Sequence, residues 1–281
     1  MNESRPSAAE PTEAPETGAR FRLLSCNIQV GIRTSTFRDY ATGAWKHILP
    51  HGDRLRTLAT LADAMRDYDL VALQETDAGS LRTGFISQTE YLARRAGYAW
   101  WGERTNRRFG RLAKHSIGAM ARIQPTEVIP FALPGRVPGR GALLLRFFGD
   151  RHDGITVVIV HLALGRATRR RQLAHVAELI EDCGHAVVMG DFNAQHGAPE
   201  MKQFFERTHL VEPVERVNTW PSWNPLQNFD HILTTPELSV GSMRVLDEGP
   251  SDHLPVALEI ELPSGCDRDA PAADRAGVFD D

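Results

Sequence analysis

The chain has 281 residues, 42% of them hydrophobic and 24% charged, proportions of a globular protein with enough length for one large core. A net charge of −4 and a pI of about 6.3 exclude an overall basic footprint for nucleic acid, though not the local basic rim that suffices for a metal-assisted nuclease. Cys26, Cys183 and Cys266 form no CxxC pair, residues 1–19 hold no apolar signal core, and no apolar stretch reaches the length of a membrane span, so the reading is a cytoplasmic monomer without disulfides or thiolate zinc.

Residues 1–19, rich in Pro, Glu, Ala and Ser, read as a disordered tail, residues 20–262 as one domain and 263–281 as a second disordered tail. The domain opens with a strand over 21–30. A long polar connection containing Trp45 follows over 31–52, of the kind that often carries function. Asp53 is placed to cap a helix whose apolar face is Leu55, Leu58, Leu61, Ala62 and Met65. A strand over 69–75, a helix over 89–96 and a strand over 98–101 come next. Four strands are predicted in succession, over 116–122, 126–133, 141–148 and 155–161. The spacing of Leu173, Val176, Ala177 and Ile180 predicts a helix over 168–181. A buried strand over 187–190, a helix over 199–207 and strands over 231–234, 240–246 and 255–261 complete the chain. This alternation, with hairpin-like strands mid-chain, implies an α/β fold of two packed sheets with helices outside.

Polar residues stand at the ends of these strands: Asn27, Glu75, His161, Asp191 with Asn193, Asp230 with His231, and Asp252 with His253. In an α/β protein such edges are where chemistry gathers. On an extended backbone, side chains two apart point the same way, which would set the Asp191 acceptor beside the Asn193 donor. Four carboxylates, imidazoles and two amides without a thiolate suit Mg²⁺ or Mn²⁺ rather than structural zinc. Glu75 and Asp252 are the first candidates for direct metal contact. Asp230 and His253 suggest a carboxylate–imidazole pair that handles a proton of water, and His161 suits a phosphoryl oxygen or the leaving group. Phosphoryl transfer asks mainly for positioning and charge stabilisation, so the set points to metal-assisted hydrolysis of a phosphoester.

Six motifs, Cys26-Asn27-Ile28, Leu73-Gln74-Glu75-Thr76, Val160-His161-Leu162, Gly190-Asp191-Phe192-Asn193, Phe229-Asp230-His231 and Ser251-Asp252-His253-Leu254-Pro255, occur in this order. Together they resemble the endonuclease/exonuclease/phosphatase superfamily across residues 20–262. The resemblance implies the deoxyribonuclease-I-like fold, a four-layered α/β sandwich of two mostly antiparallel mixed sheets flanked by helices. It implies that Glu75 binds the metal and that Asn27 supports the metal or the phosphate. Asp191 and Asn193 would position nucleophile and phosphate, and His253 would pair with Asp230. Two departures stand out. Gln29 replaces the acid of the abasic-site endonuclease branch, and that branch lacks a His at the position of His161. In the strand beginning His115-Ser116, Ser116 stands where the family has a phosphate-contacting Asn.

Two basic groups flank these motifs: Arg104, Arg107, Arg108, Arg111 and Lys114 in a polar stretch before a strand, and Arg166, Arg169, Arg170 and Arg171 at a helix start. Solvated surface is their plain reading. Arg108, Arg170, Ser116 and Trp223 are the candidates for reaching an anionic substrate. Trp45, Trp220 and Trp223 are placed to line substrate or to pack. His231 is expected at the surface or in packing, and Cys26 in the core. The substrate is left open among a nucleic acid, a phospholipid head group and a small phosphorylated metabolite, with a phosphodiester preferred. The reading from another class is a non-catalytic binding module that keeps the fold.

Overall fold

The computed structural model describes residues 19–31, 53–135, 140–213, 217–247, 251–266 and 277–279. The expectations for residues 1–18, for the 32–52 connection with Trp45 and for the capping side chain of Asp53 lie outside these residues.

Alternation along β1 (Arg20–Asn27) sets the layers. Leu23 belongs to the apolar cluster between the two sheets, whereas Leu24 and Cys26 belong to one beneath two helices. Those helices are α1 (Asp53–Met65), which buries Leu58, Leu61, Ala62 and Met65, and α2 (Gln88–Ala96), which buries Leu92, Ala93 and Ala96. Leu55, expected on the same face of α1, is exposed instead. The third cluster lies under α3 (Arg166–Ile180) and α4 (Pro199–Thr208). Helices, sheet, sheet and helices make four layers, the expected α/β sandwich.

The first sheet has seven strands in the order β10-β11-β1-β2-β4-β3-β12. They are β1, β2 (Leu70–Asp77), β3 (Trp100–Phe109), β4 (Ala113–Ala121), β10 (Val240–Val245), β11 (Val256–Glu261) and β12 (Gly277–Phe279). The second sheet has five strands in the order β5-β6-β7-β8-β9. These are β5 (Glu127–Ala132), β6 (Gly141–Phe147), β7 (Ile155–His161), β8 (His185–Asp191) and β9 (Asp230–Thr234). Most neighbours are antiparallel; β1–β2, β7–β8 and β3–β12 are parallel, the first two joined through α1 and α3 as crossover geometry requires.

Three elements differ from the sequence-based expectations. The strand over 21–30 stops at Asn27, because Gln29 and Val30 take positive φ (45° and 56°) in a turn. The polar stretch before the fourth strand is a β-hairpin, β3–β4, in which Arg104 is buried. Charges at regular spacing there sit on a strand pair that runs on past the sheet core. Finally, Gly277–Phe279 within the expected C-terminal tail pairs in parallel with β3, and Phe279 packs on the inter-sheet cluster beside Gly102. A Cβ at Gly102 would lie 3.0 Å from the Phe279 ring, so the glycine admits the ring.

Candidate active site

Register brings the polar strand ends into rows. In the second sheet His161 pairs with Asp191 across the parallel β7–β8 ladder, and Asp191 pairs with Asp230 across the antiparallel β8–β9 ladder. In the first sheet Asn27 lies level with Gln74, one residue before Glu75, and Thr76 opposite Ser116. The rows meet where Asn27 Nδ2 donates to Asp191 Oδ2 at 3.1 Å. Next to Asp191, Gly190 allows β7 and β8 to lie close: its φ is 141°, and a Cβ would lie 2.0 Å from the Val160 carbonyl oxygen. Glu75 is held at φ 54°, where the β2–β4 register shifts, so a bulge turns its carboxylate out of the strand alternation.

His253 Nδ1 lies 2.7 Å from Asp230 Oδ2, and the Thr219 hydroxyl donates to the same oxygen at 2.6 Å. The tautomer and ring orientation are thereby set, leaving Nε2 4.0 Å from Asp191 Oδ2. The Ser251 hydroxyl accepts from the His253 N–H at 3.0 Å and reaches the Asn27 carbonyl, tying this loop to β1. Asp252 accepts from Trp220 Nε1 at 3.2 Å. His161 Nε2 is 3.5 Å from Asp191 Oδ2 and 3.8 Å from Glu75 Oε1. A guanidinium nitrogen of Arg140 lies within 2.7 Å of its Nδ1 and 2.5 Å of its Nε2.

The charges are crowded. Burial raises the Asp191 pKa well above the usual carboxylate range; His253 opposes this, and Asp230 and Glu75 add to it. Burial also raises Glu75, with His253 opposing and Asp252 adding. For His253, burial favours the neutral ring, but Asp230 and Asp191 outweigh it and lift the pKa to about 10. His161 is the opposite case: burial, then Arg140 and His253, hold it well below its ordinary value, so it is a neutral imidazole. Two imidazoles of opposite charge state thus flank one carboxylate.

Acids held together at this cost fit a divalent cation, which would relieve their mutual repulsion. Donor atoms of Asp191, Asp230 and His253 lie within 4.8 Å of one another. Since Asp230 and His253 already bond to each other, Asp191 with Asn27 and Glu75 offers the less committed hard-oxygen donors.

The structure brings Asn27, Glu75, His161, Asp191, Asp230, Asp252 and His253 into one cleft. Asn193 lies beside it, but not by strand alternation. Its φ is 49°, its N–H donates to Asp191 Oδ1 at 2.8 Å, and its amide donates to the Leu162 carbonyl at 3.0 Å. Ser116 lines the adjoining cavity of about 490 Å³ and bonds the Thr76 hydroxyl at 2.7 Å. Arg108, Arg170 and Trp223 are not among the residues lining that cavity; Arg107, His115 and Arg140 are. Arg107 and Arg108 are both exposed on β3, just past the register shift between Thr105 and Arg107, and it is Arg107, with Asn106 and Phe109, that borders the cavity. Arg170 points to solvent from α3, whose Arg169 bonds Glu200 at 2.6 Å. His231 is fully buried: its Nδ1 meets Glu212 at 2.7 Å and its Nε2 the Ala194 carbonyl at 2.8 Å, bracing the loop after Asp191. Arg140 was marked by no local pattern, and Thr219 only by its nearness to Trp220.

A family model described as the Endonuclease/Exonuclease/phosphatase family matches residues 24–253. Among curated proteins none matches the chain. Of solved structures, an endonuclease/exonuclease/phosphatase from Beutenbergia cavernae is 20% identical, with a TM-score of 0.67 over 86% of this chain and 72% of its own. The Bacteroides thetaiotaomicron mannosyl-6-phosphatase Bt3783 is 17% identical, with a TM-score of 0.61 over 85% and 99%. A humanized D. rerio TDP2 is 18% identical, with a TM-score of 0.59 over 86% and 98%. At these identities the likeness is one of fold.

Proposed function

Because the chain belongs to the endonuclease/exonuclease/phosphatase family, whose members are hydrolases of phosphoester bonds, we propose that it is a Mg²⁺- or Mn²⁺-dependent phosphodiesterase. The substrate is a phosphodiester, of a nucleic acid or a phospholipid head group, cleaved by water. The observation that carries the reading is the convergence of both sheets on one cleft, where Asn27 of β1 bonds Asp191 of β8 and the His253–Asp230 pair stands next to them. Glu75, Asn27 and Asp252 would hold the cation, with Asp191 beside them. When bound, the cation polarises phosphoryl oxygens and offsets the charge that builds on them.

The remaining roles follow from the side chains. Asp230 orients the imidazole of His253, whose Nε2 faces the cleft, carries a proton, and donates it to a phosphoryl or the departing oxygen. Asp191, fixed by Asn27 and the Asn193 N–H, orients the attacking water. His161, neutral beside Arg140, keeps a proton on one ring nitrogen and serves as an uncharged donor for a phosphoryl oxygen. Arg140 adds the positive charge that the neutral ring lacks. Asn193 places its amide at the same edge, and Ser116 lines the substrate side.

Glu75→Ala and His253→Ala are each expected to abolish Mg²⁺-dependent hydrolysis of a bis-aryl phosphodiester while far-UV circular dichroism is unchanged. Undiminished turnover in both variants would overturn the assignment. A second reading, a phosphatase on a small phosphorylated metabolite, draws on the size of the cavity and on the mannosyl-6-phosphatase neighbour. A screen with Mg²⁺ against DNA, RNA, phospholipids and sugar phosphates separates the two; inactivity without divalent-cation binding would favour a binding module. No helix among the described residues is long and apolar enough to cross a membrane. Cytoplasmic location and a monomeric state belong to the same reading.

A further inference from the structure

Beside the cavity, four large apolar side chains stand in solvent: Leu81 (41% exposed), Phe85 (56%), Phe109 (44%) and Leu112 (54%). The segments that carry them are joined side by side by backbone hydrogen bonds. The β3–β4 turn closes with the Leu112 N–H on the Phe109 carbonyl, and Leu81 and Arg82 donate their N–H groups to the Arg111 and Leu112 carbonyls. Phe85 donates to the Ser80 carbonyl, and its ring lies under the Arg111 guanidinium, 5.7 Å from the centroid. These segments are also held rigidly. The buried Asp77 carboxylate gathers the Ser80 hydroxyl (2.8 Å), Arg82 Nε (2.6 Å), the Thr83 hydroxyl (3.1 Å) and the Lys114 N–H (3.1 Å). Apolar groups fixed outward by a buried carboxylate are not slack in a loop, and a contiguous exposed apolar surface marks an interaction site.

Its surroundings identify the partner. Residues 105–114 contain Arg107, Arg108, Arg111 and Lys114 and no acid, in a chain whose net charge is −4. The cations are interleaved with the apolar groups, and Arg107 lies 4.2 Å over the Phe109 ring. Apolar side chains ringed by arginines suit a membrane interface, where the chains enter the acyl boundary and the guanidiniums stay among anionic head groups. A single-stranded nucleic acid fits less well: bases stack on open aromatic faces, and here guanidiniums lie over both Phe rings while Leu81 and Leu112 offer no face at all. Phe109 and Arg107 also line the catalytic cavity, and Leu164, 77% exposed, stands on its other lip.

We propose that the β3–β4 turn and the 81–86 loop dock this protein on an anionic phospholipid surface, with the catalytic cavity opening toward the head groups. The substrate side of this inference rests on the phosphodiesterase reading; the docking itself does not.

The test is co-sedimentation of the full chain, in chelator so that nothing is hydrolysed, with vesicles of phosphatidylcholine alone and with vesicles rich in phosphatidylglycerol. Binding is expected to the anionic vesicles and to weaken as salt is raised. Arg111→Gln is expected to weaken it about fivefold, and Phe85→Ser with Leu112→Ser at least about tenfold. Turnover of a soluble bis-aryl phosphodiester should persist in these variants, reporting an intact fold. Failure to bind anionic vesicles, or equal binding to both kinds, would overturn the proposal. So would a labelled DNA or RNA oligonucleotide, or a second copy of the chain, whose binding the same variants abolish in place of vesicle binding. Vesicle binding without any phosphodiester turnover would leave docking standing and remove the hydrolase reading instead.

Discussion

Glu103 is fully buried on β3, and its carboxyl faces the Ser87 and Thr89 hydroxyls at the first turn of α2. Burial raises its pKa from 4.5 to about 7, with the two hydroxyls opposing and Asp77 and Glu90 adding to the rise. The folded state therefore holds a proton that the unfolded chain releases above pH 4.5. Between the two pKa values the native state binds more protons, so stability falls as pH rises through that window and levels off above about 7. The span of pKa corresponds to a loss on the order of 3 kcal/mol. Glu103→Gln keeps the shape of the protonated acid and cannot ionise. It is expected to match the parent at pH 4 and to exceed it by about 3 kcal/mol at pH 8. In a domain of this size that is a rise in Tm of roughly 6–12 °C. Urea unfolding of both proteins at intervals from pH 4 to 8 measures it, and other titrating groups cancel in the difference. A difference between the two proteins that does not change with pH would refute the reasoning.

Arg140→Ala is expected to lower kcat/KM for a phosphodiester by about 10- to 100-fold, the range for loss of a charged hydrogen bond, with little change in Tm. Unchanged kinetics would remove Arg140 from the site. Gly190→Ala puts a Cβ 2.0 Å from the Val160 carbonyl at a φ of 141°, so β7 and β8 must part. The expected loss is on the order of 3 kcal/mol by urea unfolding, together with hydrolysis, since Asp191 moves. A variant as stable as its parent would show that the strands absorb the clash.

Much of the architecture was legible in contiguous residues. The apolar run of β8 and the stripe of α3 each report a local requirement, because burial and helical period act over a few positions. The chemical inventory was legible for the same reason: a carboxylate or an imidazole at a strand end is a fact of sequence. The β3–β4 hairpin was hidden because its charges suit both a loop and a strand pair running past the sheet. β12 was hidden because three residues, Gly277–Phe279, carry too little pattern to outweigh a polar tail. The pairing of Asp191 with Asn193 was anticipated for the wrong reason, since a left-handed Asn193 does not follow strand alternation.

What the sequence by itself determined is most of the strands, the helices and most of the reactive groups, each set by its neighbours along the chain. Only the tertiary structure decided which groups meet. Asn27 reaches Asp191 across 164 positions, and Arg140 finds His161 from a segment with no local signature. Sheet register and the packing of two sheets set those distances. Both depend on contacts between residues far apart in the chain, which no single stretch encodes.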